Sequence, residues 1–197
     1  MQGSYCVVGY TPSRKVLSDG SAVEFRLLST TDQSKLTGFF LRIPESETES
    51  LRDDVHDPEV VSRWITTLDY QCVLPLIAWD ETTGEIAAVG SLHRMRGVYR
   101  FVADIRVVVD KTHRNLGLGS IIIKELIELA VEQGLHVLRA EIPFENDLAS
   151  RAFRQLGFEQ KCILEGYFVT LKGKSRDVVL MLKRLQTNPE EDFFFVF

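Results

Sequence analysis

The fold of this chain is decided by the stretch Val107-Val108-Val109-Asp110-Lys111-Thr112-His113-Arg114-Asn115-Leu116-Gly117-Leu118-Gly119-Ser120. Its apolar start predicts a strand, its polar middle predicts a loop, and the periodic residues 121–134 predict a helix. Two glycines at the junction let the backbone approach a ligand without interference from a Cβ atom. The first N–H groups of a helix have no partner within the helix, and the helix dipole is positive there. The junction therefore predicts an anion site, and a diphosphate is its usual ligand.

The composition is that of a globular protein with a single domain. The chain has 197 residues, of which 45% are hydrophobic and 26% charged, which is enough for a real core. A formal net charge of -5 argues against a general nucleic-acid binder, because such a protein needs a basic face. The longest apolar runs are too short to cross a bilayer, and residues 1–10 lack the pattern of a secretory signal. We therefore expect no nucleic-acid partner and no membrane partner.

Cysteine and histidine spacing predicts neither disulfides nor a metal site. Cys6, Cys72 and Cys162 are an odd number without a C-x-x-C pair, so a reducing, cytoplasmic setting is expected. The histidines do not have the spacing of metal ligands, and we expect no metal. They are His56, His93, His113 and His136.

The order of apolar patterns along the chain is β-α-α-β-β-β-α-β-α-β-β. This order mixes hairpins with crossover helices and predicts an α/β fold with a single mixed, largely antiparallel sheet flanked by helices. We expect an irregular lead-in over residues 1–20, the domain over residues 21–186, and an acidic, aromatic tail over residues 187–197. Glu125, Glu128 and Glu132 are expected on the solvent side of the central helix. The tail is expected to pack on a second subunit or on its own domain, and the protein to be a monomer or a homodimer.

Two motifs resemble the GNAT superfamily of acyl-CoA-dependent N-acetyltransferases. The family pattern Gln/Arg-x-x-Gly-x-Gly/Ala is matched by Arg114-Asn115-Leu116-Gly117-Leu118-Gly119. A second pattern has an Asn, an Ala three residues later, an aromatic residue seven later, and Gly-Phe at the end of the helix. It is matched by Asn146, Ala149, Phe153 and Gly157-Phe158. The resemblance covers residues 22–185 and implies the GNAT fold.

A Rossmann-type nucleotide site is the alternative interpretation of the glycine loop. It fits less well, because the loop lies in mid-chain after three predicted strands. The acidic residue that should follow about 20 positions later at a strand end is also missing.

The resemblance implies that acetyl-CoA is the co-substrate. Its diphosphate would lie on the main-chain N–H groups of residues 115–120, while Arg114 adds a charge contact or shapes the loop. The pantetheine arm would pair with the main chain of residues 107–109. Asn146 would contact the arm or the thioester region, act as a helix N-cap, or do both. The cofactor-binding residues implied are Val107, Val108, Val109, Arg114, Asn115, Leu116, Gly117, Leu118, Gly119, Ser120, Asn146 and Phe153.

Acyl transfer in this family is direct attack by an amine, which needs a base because the amine is charged at neutral pH. Two carboxylates qualify. Asp104 lies on the strand before the loop, where many GNAT enzymes carry a Glu. Glu141 lies on the next strand, at the position of the catalytic Glu in ribosomal-protein N-terminal acetyltransferases. Each has a structural alternative: Asp104 in an ion pair with Arg106 or another base, and Glu141 as an exposed carboxylate next to Arg139.

Phe153 departs from the family pattern, which usually has a Tyr that protonates the departing sulfur. A thiol pKa near ~8.5 makes the thiolate a tolerable leaving group, and water or Tyr167 could replace the missing acid.

Two function classes therefore stand. One is an N-acetyltransferase that acetylates a primary amine of a small molecule or a protein, and the other is a non-catalytic acyl-CoA-binding module. The acidic residues 45–54 either bind a cationic amine or form a solvated charged surface.

Overall fold

The protein is built on one mixed sheet of eight strands. The computed structural model describes residues 9–185. The strands are β1 (Ser13–Val16), β2 (Ala22–Leu27), β3 (Val73–Asp80), β4 (Glu85–Arg94), β5 (Val102–Val109), β6 (Val137–Pro143), β7 (Glu159–Val169) and β8 (Ser175–Arg184). The helices are α1 (Gln33–Arg42), α2 (Glu45–Thr48), α3 (Pro58–Thr66), α4 (Leu118–Glu132) and α5 (Asp147–Gln155). No helix of the described residues is long and apolar enough to cross a membrane.

Neighbouring strands are antiparallel in the order β1-β2-β3-β4-β5-β6-β8-β7, except for the parallel pair β5 and β6. This confirms the predicted single mixed, largely antiparallel sheet. The parallel pair is short, because it ends at Asp104 and Arg139 after three residues on each strand. Beyond that point β5 continues to Val109 beside β4, and β6 continues to Pro143 beside β8. The sheet therefore opens into a cleft between β5 and β6.

Helices cover the two faces of the sheet. Leu118, Ile122 and Leu126 of α4 are fully buried in one cluster, and α1 and α3 pack in a second cluster with Phe39 and Ile77. Successive side chains of a strand point to opposite faces, which separates the two clusters. Burying each of these large side chains stabilises the fold by roughly 1.5–3 kcal/mol.

Gly90 on β4 allows α4 to approach the sheet closely. A Cβ atom at this position would lie 2.7 Å from Cδ1 of Leu126. A larger residue here would have to displace the side chains of Leu126 and Ile122, which pack α4 on the sheet.

Two expectations from the sequence are wrong. Residues 13–16 are not part of an irregular lead-in, because they form the edge strand β1 beside β2. Glu125 is not on the solvent side, since only 7% of its side chain is exposed. Its carboxylate accepts a hydrogen bond from Tyr10 Oη (2.6 Å) and pairs with Lys15 Nζ (2.9 Å). The polar strand β1 thus binds Glu125, a polar residue of α4. A hydrophobic pattern in the sequence marks neither β1 nor Glu125 as buried. The tail (residues 187–197) and Cys6 lie outside the described residues.

Candidate active site

The glycine loop before α4 has the backbone conformation of an anion site. Asn115 and Gly117 have positive φ angles of 60° and 83°, and Gly117 is the N-cap of α4. A Cβ atom on Gly119 would meet only a side-chain atom of Val109, at 3.7 Å. Within the described part of the chain, the N–H groups of residues 115–120 donate no hydrogen bond. Six consecutive donors at a positive helix end therefore fit a diphosphate.

Arg114 holds this loop in place. Its Nε and Nη2 donate to the carbonyl oxygen of Val109 at 3.2 and 3.1 Å, and the guanidinium also pairs with Glu47. The loop is fixed further by Asp110, which accepts from the N–H of Thr112 (3.0 Å). The structure thus shows Arg114 shaping the loop, while a contact between Arg114 and phosphate stays a prediction.

Residues 107–109 form the β5 side of the cleft. Past Asp104 they pair with β4 and, among the described strands, have no neighbour on the other edge. The side chains of Val107 and Val109 pack in the α4 cluster, and that of Val108 packs in the α1–α3 cluster. Because one strand edge is open, the main chain can pair with an extended arm such as pantetheine.

Asp104 is held by two arginines. Its side chain is 10% exposed and accepts two hydrogen bonds from Arg139, from Nε at 2.6 Å and from Nη2 at 3.0 Å. Arg52 donates a third, at 3.0 Å. The partner is therefore Arg139 with Arg52, rather than Arg106. Both carboxylate oxygens are engaged, and a proton acceptor in this position has to give up strong charge-assisted bonds.

Glu141 is held more loosely and lies next to Tyr167. Tyr167 Oη donates to Glu141 Oε1 at 3.1 Å, and Arg139 Nη2 lies 3.5 Å from the same oxygen. The other oxygen, Oε2, accepts no hydrogen bond from the described residues, and 25% of the side chain is exposed. The negative charge of Glu141 raises the pKa of Tyr167, which keeps the phenol protonated at neutral pH. The fold therefore brings together two of the three predicted catalytic residues.

Glu141 and Tyr167 line a cavity of about 630 Å³, which we call the first cavity. Its other walls are residues 45–56, from α2 onward, and residues 167–172 at the end of β7. Three glutamates of the acidic segment are paired with other elements. Glu45 pairs with Lys172 (2.7 Å), Glu47 with Arg114, and Glu49 with Arg176 (3.2 Å). Glu45 and Glu47 nonetheless stay exposed, with 65% and 37% of their side chains accessible. The segment is therefore a solvated charged surface whose glutamates also join α2 to the β7–β8 hairpin and to the glycine loop.

The family model described as "Acetyltransferase (GNAT) family" matches residues 39–158, which include the glycine loop, the cleft and both motifs. The chain belongs to the GNAT acetyltransferase family. It is therefore an acetyl-CoA-dependent N-acetyltransferase, and the six free N–H groups of residues 115–120 fit the diphosphate of that co-substrate.

Similar proteins are known in several bacteria. YwnH of Bacillus subtilis is 26% identical over 113 residues, which are 56% of this chain and 69% of that protein. The L-methionine sulfoximine/L-methionine sulfone acetyltransferase of Pseudomonas aeruginosa is 34% identical over 88 residues, 43% of this chain and about half (51%) of that enzyme. The crystal structure of a phosphinothricin acetyltransferase from Sinorhizobium meliloti in complex with acetyl-CoA is 18% identical, with a TM-score of 0.70 over 87% of this chain and 95% of that one. This last likeness shows a shared fold.

The second motif of the GNAT domain serves packing and capping. Asn146 is the N-cap of α5, and its Oδ1 accepts from the N–H of Ala149 at 3.1 Å. Phe153 is 5% exposed, and its ring packs edge-to-face on Phe158 at a centroid distance of 4.8 Å. The N-cap alternative for Asn146 is thus observed, and cofactor contacts of both residues stay predictions.

Three residues around Asp104 in this GNAT enzyme have roles that the sequence pattern did not predict. Arg52 and Arg139 bind its carboxylate, and His93 stands opposite it in the β4–β5 register. The signal for His93 is its place on the polar face of β4 beside Ser91, whose Oγ lies 2.9 Å from its Nε2. No group of three or more His, Cys, Asp or Glu in residues 9–185 is arranged to hold a metal ion.

Proposed function

We propose that this enzyme transfers the acetyl group of acetyl-CoA to a primary amine, of a small molecule or a protein, bound in the first cavity. One observation carries this proposal: the hydrogen-bonded pair of Tyr167 and Glu141 lines that cavity. Glu141 is also on β6, one side of the cleft in which the arm of the co-substrate would lie. The pair therefore combines a proton acceptor and a proton donor close to the place where amine and thioester would meet.

Glu141 is the better base of the two candidates. Asp104 has both oxygens held by guanidinium groups, whereas Glu141 keeps Oε2 unpaired among the described residues. A protonated amine entering the first cavity can therefore form an ion pair with Glu141 and transfer its proton without breaking a bidentate bond. In this proposal Asp104 positions Arg139, and Arg139 in turn holds the carboxylate of Glu141, with Nη2 at 3.5 Å from Oε1.

Tyr167 is the proposed acid. When bound, acetyl-CoA supplies a thioester whose acyl carbon forms the new bond to nitrogen while its carbon–sulfur bond breaks. Tyr167 holds a proton on Oη for the departing sulfur, and its raised pKa favours this protonated form. The proton that Glu141 takes from the amine can then replace the one that Tyr167 has given, through their hydrogen bond. The ammonium loses two protons as it becomes the amide: one reaches the departing sulfur by way of this pair, and the other is released to water.

The experiment is a screen for thiol released from acetyl-CoA in the presence of amino acids, polyamines and peptides. We expect at least one amine to raise thiol release above the rate without amine. Glu141→Gln should abolish this increase, while Glu159→Gln, which changes an exposed glutamate of β7, should leave it intact. Binding of acetyl-CoA without any amine-dependent release would instead support the non-catalytic module, for which the buried Phe153 is the supporting observation.

We further propose a reducing, cytoplasmic location and a monomer or homodimer. The support is that Cys72 and Cys162 are free thiols in the structure. Mass measurement of the purified protein in solution tests the oligomeric state, because a species larger than a homodimer would contradict it. Cell fractionation tests the location, because recovery outside the cytoplasmic fraction would contradict it.

A further inference from the structure

A second cavity, of about 300 Å³, lies between the helices α1 and α3 and the strands β4 and β5. Residues 51–53 are a common wall of both cavities. Most of the lining is apolar and includes Phe40, Trp64 and Val108. Two guanidinium groups, those of Arg52 and Arg106, also line it, and that of Arg52 is paired with Asp104.

Arg106 is a half-buried cation without a partner among the described residues. It has no hydrogen bond and no ion pair there, since the nearby Asp104 is occupied by Arg139 and Arg52. Burial and the positive charge of Arg52 lower the pKa of Arg106. An arginine nevertheless stays charged in proteins, and a charge removed from water without a partner destabilises the protein. Such a group is typical of a site that binds an anion.

The surroundings favour a carboxylate over a phosphate. A guanidinium matches a carboxylate with two parallel hydrogen bonds. The charge of Arg52 is paired with Asp104, and His93, also in the lining, adds no further positive charge at neutral pH, because burial and the charge of Arg106 lower its pKa to about 4. The same cavity is lined by Asp53 and Asp69, which would repel the second negative charge of a phosphate group. The apolar walls match an aliphatic or aromatic body.

We propose that the second cavity is a carboxylate-binding site, in which Arg106 binds the carboxylate of the amine acceptor and the apolar walls hold its aliphatic or aromatic body, while its amino group lies in the adjoining first cavity. This inference rests on the proposed function, because it describes the acceptor of that reaction. Arg106 then determines specificity, since an amine without a carboxylate leaves the guanidinium unpaired.

The test measures binding by calorimetry, without acetyl-CoA, so that it does not depend on turnover. The probes are phenylacetate and hexanoate, their neutral amides, and inorganic phosphate. We expect both carboxylates to bind more tightly than the amides and phosphate, and Arg106→Gln to weaken carboxylate binding by at least about tenfold. Arg151→Gln is the matched control, because it removes an exposed arginine of α5 and should change nothing. Equal binding of acid and amide, tighter binding of phosphate, or unchanged binding to Arg106→Gln overturns the proposal.

Thermal melting shows whether Arg106 has a structural partner instead. Removing an unpaired, half-buried charge should leave the melting temperature of Arg106→Gln equal to or above that of the wild type. A fall of several degrees would mean that the guanidinium is already paired, and would also overturn the proposal.

Failure of this inference can be distinguished from failure of the proposed function. If amines are acetylated at rates that do not depend on a carboxylate, and no carboxylate binds, the acetyl transfer stands and the carboxylate site is wrong. If carboxylates bind through Arg106 but no amine increases thiol release, the site stands as a binding site and its assignment to the acceptor is wrong.

Discussion

The glycine loop and the arginine cluster differ in how their polar groups are used. The loop (residues 115–120) presents main-chain donors that have no acceptor in the described chain. In the arginine cluster, which we define as Arg52, Arg106 and Arg139 around Asp104 and Glu141, most charges are already paired. Ligand binding at the loop therefore follows from local backbone conformation. Ligand binding in the cluster depends on which side-chain groups are left unpaired. Among the described residues these are the guanidinium of Arg106 and one carboxylate oxygen of Glu141.

The largest expected effect tests whether Glu141, the carboxylate of the cluster with an unpaired oxygen, is the base. Glu141→Gln should lower kcat by about 10²–10⁴-fold, the usual contribution of a general base, and leave the affinity for acetyl-CoA unchanged. Steady-state thiol release and calorimetry measure the two quantities. If the variant keeps full kcat across pH, Glu141 is not the base, and the unpaired oxygen does not distinguish it from Asp104.

The next effect concerns the free energy of unfolding, because both carboxylate oxygens of Asp104 are held by arginines. Asp104→Asn removes the charge that neutralises Arg139 and Arg52, and should lower the free energy of unfolding by about 3 kcal/mol. Urea denaturation measures this change, with Asp147→Asn on the exposed start of α5 as the control. A stable Asp104→Asn variant with kcat reduced as strongly as in Glu141→Gln would reverse the assignment of the two carboxylates.

A smaller effect is expected at the glycine loop, on the affinity for coenzyme A. Gly117→Ala places a Cβ atom on a residue with φ of 83°, which strains the start of α4 and should weaken coenzyme A binding by at least about tenfold. Gly134→Ala is a matched control, because Gly134 also has a positive φ (66°) and follows the other end of the same helix. Both variants should lose stability, but only Gly117→Ala should lose affinity. Equal affinities in calorimetry would mean that the loop is not the anion site.

The smallest effect is a pH dependence within the cluster. The pKa of His93 is lowered to about 4 by burial, reinforced by the charge of Arg106, whereas an unfolded histidine titrates near about 6.5. Between these values the unfolded chain binds a proton that the folded chain does not, so stability falls as the pH drops through this window. Urea unfolding of His93→Gln should therefore show a flatter pH dependence than the wild type, by on the order of 1 kcal/mol at pH 5. Parallel curves would show that His93 is not shielded in this way.

The fold was largely predictable, because its signals are local. The order of strands and helices, apart from β1 and the short helix α2, and the cap at Asn146 depend on residues close in sequence, and both were confirmed. The wrong expectations were β1 and Glu125, which stabilise each other over more than 100 positions. A polar strand that buries a polar helix residue has no apolar period, so a pattern of hydrophobicity cannot detect it.

The sequence alone determined the strand–loop–helix junction at the glycine loop and the acetyl-CoA-dependent family, because both are encoded in the spacing of neighbouring residues. It also named Asp104 and Glu141 as candidates, but it could not rank them. Only the tertiary structure decided that Arg139 and Arg52 occupy Asp104, that Tyr167 meets Glu141, and that Arg106 has no partner in the described chain. The physical reason is that an ion pair depends on distances between strands that are far apart in sequence. A charged residue shows in the sequence that it needs a partner, and the fold decides which one it obtains.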